Sequence, residues 1–245
     1  IETASLFGMH TAIGTTPEET TWANNDYANF IVKTVKPETY TNKAYFALTG
    51  TAGGFIHPEL TSPEYNDVYN DTNWSFLVSL YPQTYPNANQ VAGTSGSGDG
   101  GYVVSFSGMQ RVLDVTIEQF TVTGTITGDQ AIKFMASPKR CFVGAHRTNF
   151  TGSLLNQSDF KFNNLKIWQN KLSISDLESH ASDPNSYGIS NPEQNAYLFN
   201  TSINNVYVPN KETLLLYWNF DSVTGSDASG EFIVEDMTSG SIDQV

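Results

Sequence analysis

The chain has little of several features that define common protein classes. Only one cysteine, Cys141, occurs among 245 residues, so no disulfide can form within the chain. The 12 Lys and Arg residues are outnumbered by 25 Asp and Glu residues, which gives a formal net charge of -13. A surface of this sign repels phosphate, so nucleic acid and anionic bilayers are not expected partners. No apolar run reaches the length that spans a bilayer, and we expect no membrane insertion.

Catalytic and metal-binding motifs are also scarce. One cysteine and four histidines do not supply the local ligand spacing of a zinc site. Cys141 heads an apolar run, which is typical of a buried structural thiol. No G-x-S-x-G elbow occurs, and the pairs Glu18-Glu19 and Glu235-Asp236 would point to opposite faces of a strand. His146-Arg147 is interpreted as a loop brace. The sequence therefore predicts a protein that is not an enzyme.

Apolar and polar residues alternate with a period of two through much of the chain, which is typical of strands with one face on a core. In 112–126 the apolar set begins at Leu113, Val115 and Ile117 and continues at Phe120 and Val122. This change of phase predicts a β-bulge at residues 118–119. A similar change at residues 163–164 predicts a second bulge.

The expected core and helix follow from the same patterns. A capping box formed by Ser175 and Glu178 predicts a helix from Ser175 to Ala181. The predicted core residues are Phe120, Phe162, Leu165 and Ile167.

The segment CFVGAHRTNFTGSLLNQSDFKFNNLKIWQNKLSISDLESHA, Cys141 to Ala181, resembles the C-terminal half of concanavalin A-like, laminin-G-like jelly rolls. The matching positions are Gly144-Ala145, Phe150 to Gly152, Leu165 to Trp168 and Leu172-Ser173. The resemblance implies an all-β fold, a jelly-roll β-sandwich of two curved antiparallel sheets with one short helix. This fold hosts lectins, glycosidases, adhesion modules and virion proteins, so it leaves the function open.

A second stretch, LLLYWNFDSVTGSDASGEFIVEDMTSGS, Leu214 to Ser241, resembles the opening strand of another such module. With Asp183 to Gln194 as a linker, the chain is predicted to divide into a laminin-G-like domain over 1–190 and a second part over 191–245. That second part would hold the linker and the opening strands of a following module of a larger protein. In the alternative interpretation, these are the last strands of the same sandwich.

Aromatic and amide side chains are concentrated between residues 65 and 85. Sugars are held by aromatic faces together with planar hydrogen-bonding groups, often organised by Ca²⁺. The candidate ligand-binding residues are Tyr65, Tyr69, Trp74, Tyr81, Tyr85, Asn70 and Asp71. In the alternative interpretation, Trp74 belongs to the core and the tyrosines cover loops.

Calcium is the one candidate cofactor. The resembled family often uses an Asp five residues before the aromatic residue of its closing strand. The corresponding residue here is Asn163, which keeps an oxygen ligand but loses the charge. Further candidate metal ligands are Asp221, Asp227 and Asp236, with solvated loop acids as the alternative.

The same segments look like laminin-G-like modules in large structural proteins of tailed phages, especially marine ones. This resemblance implies a non-catalytic structural and adhesion module of a virion or extracellular surface assembly, such as a capsid decoration, fibre or tail component. Its expected location is the virion surface or outside the cell, and its expected partners are other assembly proteins, copies of itself or cell-surface glycans. Two alternatives stay open, a carbohydrate-binding lectin-like module and a divergent glycoside hydrolase.

Overall fold

A computed structural model of the chain describes residues 2–11, 30–50, 59–83, 101–136, 139–144, 146–147, 154–185, 213–226 and 232–238. Antiparallel strands dominate these residues, which confirms the predicted predominance of β-structure. The strands are β1 (Glu2–Thr11), β2 (Phe30–Lys36), β3 (Lys43–Gly50), β4 (Leu60–Thr61), β5 (Tyr65–Asn66), β6 (Trp74–Pro82), β7 (Tyr102–Val112), β8 (Val115–Ile126), β9 (Lys139–Val143), β10 (His146–Arg147), β11 (Leu154–Leu155), β12 (Asn164–Trp168), β13 (Leu214–Ser226) and β14 (Phe232–Asp236). The described helices are α1 (Gly128–Ala136) and α2 (Ile174–Ser182).

The largest sheet has the order β4-β3-β2-β1-β9, and β5 also pairs with β3. Its strands show the alternation that the sequence pattern requires: Phe30 and Val32 of β2 are buried, while the alternating residues Ile31 and Lys33 are only half-buried. Gly8 of β1 lies where a Cβ would be 2.3 Å from the carbonyl oxygen of Phe30. A side chain at that position would therefore push β1 and β2 apart.

Four aromatic rings join this sheet to the sheet β6-β7-β8. Phe46 and Tyr65 come from β3 and β5, and their ring centroids lie 6.0 and 6.1 Å from that of Phe120 in β8. Phe106 of β7 meets the Phe120 ring edge-on at 5.0 Å. Burial of one such side chain contributes about 1.5–3 kcal/mol, so this aromatic cluster is a principal stabilising element. The prediction that Phe120 belongs to the core is confirmed.

The structure of the β7–β8 hairpin does not show the change of phase predicted at residues 118–119. Leu113 and Asp114 form a two-residue turn with φ angles of 48° and 64°, the type I′ geometry that suits a hairpin. In β8 every buried or half-buried residue has an even number. Val115 and Ile117 are therefore exposed, by 59% and 53%, and Leu113 in the turn is exposed by 93%. Their predicted burial was wrong, because inward positions are set by the register of Phe120.

The C-terminal sheet has the order β12-β13-β14. Strands β12 and β13 are antiparallel, with Asn164 opposite Asn219 and Ile167 opposite Leu216. The predicted opening strand at Leu214 thus shares a sheet with the strand that closes the resemblance. Phe162 precedes β12 and meets Phe220 edge-on at 5.1 Å. Phe162, Leu165 and Ile167 are half-buried, so they are less enclosed than the core positions predicted for them.

Both helices begin at capping boxes. The predicted helix is confirmed as α2, but its N-cap is Ser173 with Asp176 as partner, two residues earlier than expected. Helix α1 was not predicted. Its first turn is closed by Thr127 and Gln130, since the Thr127 N–H donates to Gln130 Oε1 at 3.1 Å and the Gln130 N–H donates to Thr127 Oγ1 at 3.3 Å.

The chain forms two compact units, and neither is one continuous segment. The first comprises residues 1–72, 77–108 and 119–160, and the second comprises 73–76, 109–118 and 161–245. This division rests on spatial contacts, and the expected boundary at residue 190 stays a prediction. Neither helix of the described residues is long and apolar enough to cross a membrane.

Candidate functional site

The predicted ligand-binding residues are divided between the interior and the surface. Tyr65 is buried in the aromatic core, with 7% of its surface exposed. Tyr81 is half-buried in β6, and Trp74 is half-buried at the start of that strand, where its ring stacks on Phe76 at 6.1 Å. Tyr85 lies outside the described residues. Of the aromatic candidates that the structure describes, Tyr69 alone is exposed.

Tyr69 lies between β5 and β6, with 53% of its surface exposed. The Lys36 Nζ lies 5.8 Å from the centroid of its ring and also pairs with Glu2 at 3.8 Å. Partial burial and the nearby Glu2 charge raise the pKa of the Tyr69 hydroxyl. The phenol therefore remains a neutral hydrogen-bond donor throughout the ordinary pH range.

Asp67 organises the loop around Tyr69. Its Oδ1 accepts hydrogen bonds from Asn42 Nδ2 at 3.2 Å and from Asn70 Nδ2 at 3.1 Å. Asp67 and Asp71 both have positive φ, 56° and 57°, a conformation that Asp tolerates better than most residues. Tyr40 is wholly exposed in the turn before Asn42. We call this surface the tyrosine face, defined by Tyr40, Asn42, Asp67, Tyr69 and Asn70.

The candidate calcium ligands occupy different settings. Asn163 is exposed just before β12, whereas Asp236 ends β14. Asp236 Oδ1 accepts hydrogen bonds from the Tyr217 N–H at 3.0 Å and from the Thr238 N–H and hydroxyl at 3.0 and 2.7 Å. Partial burial raises the pKa of Asp236, but these hydrogen bonds outweigh it and the pKa is lowered.

Asp236 therefore braces the turn that follows β14. Asp221 lies in β13 with its side chain outside the described part, and Asp227 lies outside the described residues. Within the described part of the chain, no three His, Cys, Asp or Glu residues come together as a metal site.

An open cleft of about 480 Å³ lies at the end of β9, lined by Val143, Gly144, Gln157, Ser158 and Asp159. The Ser158 hydroxyl lies 2.5 Å from the carbonyl oxygens of both Ser5 and Gly144, so it ties the segment after β11 to β1. Burial raises the pKa of the nearby Cys141 thiol to about 11. This agrees with the interpretation of Cys141 as a structural thiol. The strand pair β10-β11 follows the cleft, and the side chains of His146 and Arg147 lie outside what is described.

The sequence patterns did not predict the surface at the tip of the β7–β8 hairpin. Four apolar side chains are exposed there, Val112 by 49% together with Leu113, Val115 and Ile117. We call these four residues the hairpin patch. The signal that was available is the run Val112-Leu113-Asp114-Val115, in which two polar–apolar alternations meet across two residues that can form a tight turn.

Arg111 fixes the hairpin patch in place. Its guanidinium donates to Glu178 Oε1 of α2 at 2.7 Å and to the Asp114 carbonyl oxygen at 2.6 Å. The Arg111 side chain is only 10% exposed, and partly desolvated charge-assisted bonds of this kind are stronger than surface ion pairs. The apolar tip is thus held to a helix.

The ammonium group of Lys166 in β12 is largely enclosed by neighbouring residues. Its Nζ donates to the Pro184 carbonyl oxygen, which also accepts from Asn164 Nδ2 at 2.8 Å. The ammonium lies 4.5 Å from the centroid of the Tyr217 ring, and the Tyr217 hydroxyl donates to Asn185 Oδ1 at 2.9 Å. Burial lowers the pKa of Lys166 to about 8, against an opposing effect of Asp183. This group holds the end of α2 on the C-terminal sheet.

Comparisons with known proteins identify no relative. No family model, no curated protein and no solved structure matches the chain. What the protein does is therefore inferred from its own residues.

Proposed function

We propose that the protein is a non-catalytic structural and adhesion module of a larger virion or extracellular surface assembly, built as a concanavalin A-like jelly-roll β-sandwich. The observation that carries the proposal is the hairpin patch. Contiguous exposed apolar side chains on a soluble domain mark contact sites for other macromolecules. Here they stand on a hairpin whose base is bonded to α2 through Arg111, so the contact surface is ordered before a partner arrives.

The aromatic core of the first unit also suits a structural role. Phe46, Tyr65, Phe106 and Phe120 pack two sheets together, and strand pairing with a shared core gives a stiff support for loops and hairpins. The chain has a net charge of -13, so a contact through charged groups would need a basic partner. A contact through the apolar hairpin patch has no such requirement. The partners are other assembly proteins or copies of this chain.

The first test separates a structural module from an enzyme. The purified protein is incubated with laminarin, agar and alginate, and released reducing ends are measured over a long incubation. We expect no release above that of a heat-denatured sample. Release that co-purifies with the protein would overturn the proposal in favour of a glycoside hydrolase.

The second test addresses the contact itself. Binding to the purified products of neighbouring genes is measured by interferometry for the wild type, Leu113→Lys and Ile132→Lys. Ile132 is 49% exposed on α1 and serves as the matched control. We expect Leu113→Lys to lose binding about tenfold or more and Ile132→Lys to keep it. Equal binding by all three proteins would exclude the hairpin patch as the contact.

A lectin-like module is the second candidate, and the tyrosine face favours it. An exposed tyrosine ring presents an apolar face for sugar C–H groups, while carboxylate and amide groups nearby supply hydrogen bonds. We expect Tyr69→Ala to weaken any glycan binding on an array, with Leu113→Lys as the control that leaves it unchanged. The array is run with Ca²⁺ and with a chelator, because Ca²⁺ remains the candidate cofactor of this class.

A further inference from the structure

We propose that the hairpin patch is a self-association surface, and that β8 of one copy pairs edge to edge with β8 of a second copy. This inference rests on the proposed function and deepens it by naming the partner and the geometry. The product would be one continuous sheet with the order β6-β7-β8-β8-β7-β6 across a two-fold axis.

The position of β8 provides the opportunity for pairing. Among the described residues β8 is the last strand of its sheet, with β7 on one side. It is 12 residues long, which at about 3.3 Å per residue is roughly 40 Å of strand. Natural edge strands are protected from pairing by short length, by Pro or by Lys. Strand β8 contains neither Pro nor Lys and is long.

The side chains of β8 favour a second copy over a charged partner. Its odd-numbered residues are all exposed and uncharged: Val115, Ile117, Gln119, Thr121, Thr123 and Thr125. Glu118, which is also exposed, is the only charged residue in the strand. In any antiparallel two-fold register not centred on Glu118, the two Glu118 carboxylates are not opposite each other. An acidic chain can therefore pair with itself along this strand without opposing like charges.

The geometry of the tip lowers the cost of association. Leu113 and Asp114 already hold positive φ angles in the turn, and Arg111 ties the turn to Glu178. Binding would therefore order few additional groups, which preserves more of the contact energy. An antiparallel edge is also self-complementary, because each strand offers alternating N–H and C=O groups to its copy.

The size of the contact predicts weak association. One strand edge with four apolar side chains falls below the roughly 1,200 Å² of a standard interface. The expected dimer forms at micromolar or higher concentration, as suits a contact completed by neighbours in a larger assembly. Net charge opposes it at a distance, so added salt should strengthen the dimer by screening.

The test is sedimentation velocity over a concentration series, at low and at high NaCl. We expect the wild-type dimer fraction to rise with both concentration and salt. Val115→Lys/Ile117→Lys should weaken dimerisation about tenfold or more, while Ile132→Lys should match the wild type. Circular dichroism melts establish that each variant is folded, and the wild-type salt series tests the idea even if a variant does not fold.

The outcomes separate this inference from the proposed function. A wild type that stays monomeric at the highest concentration, or a dimer that salt dissociates, overturns self-pairing. A dimer lost equally in Ile132→Lys places the interface elsewhere and also overturns it. None of these results produces polysaccharide turnover, which is the finding that overturns the non-catalytic function itself.

Discussion

Replacing Lys166 by Met should change how the stability of the protein depends on pH. The ammonium is enclosed by β12, the Tyr217 ring at 4.5 Å and the turn at Pro184. This burial lowers the pKa of Lys166 from 10.5 to about 8. Methionine has a similar length and can occupy the same space without a charge. The Pro184 carbonyl keeps the hydrogen bond from Asn164, so the variant should fold.

The magnitude follows from the pKa of the folded and the unfolded chain. Between pH 8 and 10.5 the unfolded chain keeps a proton on Lys166 that the folded chain has released. The free energy of unfolding therefore rises with pH in this window. One pKa unit corresponds to 1.36 kcal/mol, so the full effect is about 3 kcal/mol at most, and residual contact with water reduces it. Between about pH 7 and pH 9 the expected rise is about 1 kcal/mol.

Urea unfolding at these two pH values measures the effect as a double difference between Lys166→Met and the wild type. The pH effects of other groups are the same in both proteins and cancel in this difference. One of them is Cys141, whose raised pKa of about 11 lowers stability as pH increases from 9 to 11. Lys161→Met is the control, because Lys161 is exposed in the loop before β12. We expect the control to follow the wild type. Parallel pH curves for Lys166→Met and the wild type would refute the argument that burial of Lys166 destabilises the charged form.

Three further predictions concern stability. Phe106→Ala should lower the free energy of unfolding, measured with a chemical denaturant, by about 3–5 kcal/mol, because Phe106 is fully buried against Phe120. A loss below about 1 kcal/mol, similar to that expected for Phe160→Ala at an exposed position, would contradict the role of the aromatic core. Asp236→Ala should lower the free energy of unfolding by about 1 kcal/mol near neutral pH. This difference from the wild type should disappear as pH falls through the lowered pKa of Asp236 in the folded chain. A difference that persists in strong acid would contradict the stabilising role of the charged carboxylate. Removal of residues 211–245 takes away β13 and β14, including the buried Tyr217. This truncation should lower the free energy of unfolding by several kcal/mol and abolish the cooperative thermal melting of the second unit. A truncated protein that melts like the full chain would show that these strands form an independent module.

The sequence predicted those parts of the fold that depend on local periodicity. Alternation correctly indicated strands at Trp74 and Tyr102, and the S-x-x-D/E pattern near residue 175 correctly indicated α2. The cap itself was displaced by two residues, because Ser173 and Ser175 offer the same pattern to Asp176 and Glu178. Only the observed bonds between Ser173 and Asp176 decide between them.

Helix α1 and the orientation of β8 were not predicted for physical reasons. The T-x-x-Q box at Thr127 is a capping signal, but its second residue is Gly128, and glycine has a low helix propensity. In β8, Val115 and Ile117 are apolar residues on a solvent-facing side. Hydrophobic periodicity assigns such residues to the core, and exposed apolar patches are the cases in which this assignment fails.

Sequence periodicity and composition also could not predict which candidate binding residues are exposed. Tyr65 and Tyr69 are four residues apart and chemically identical, yet one is buried against Phe46 and Phe120 and the other is exposed. What separates them is pairing of β5 with β3, where Tyr65 lies opposite Ala44. A binding role depends on which tyrosine faces water, and that is fixed by partners about twenty residues earlier and fifty-five residues later in the chain. Sequence composition can therefore identify the chemistry of a sugar-binding face, while strand pairing decides which residues present it.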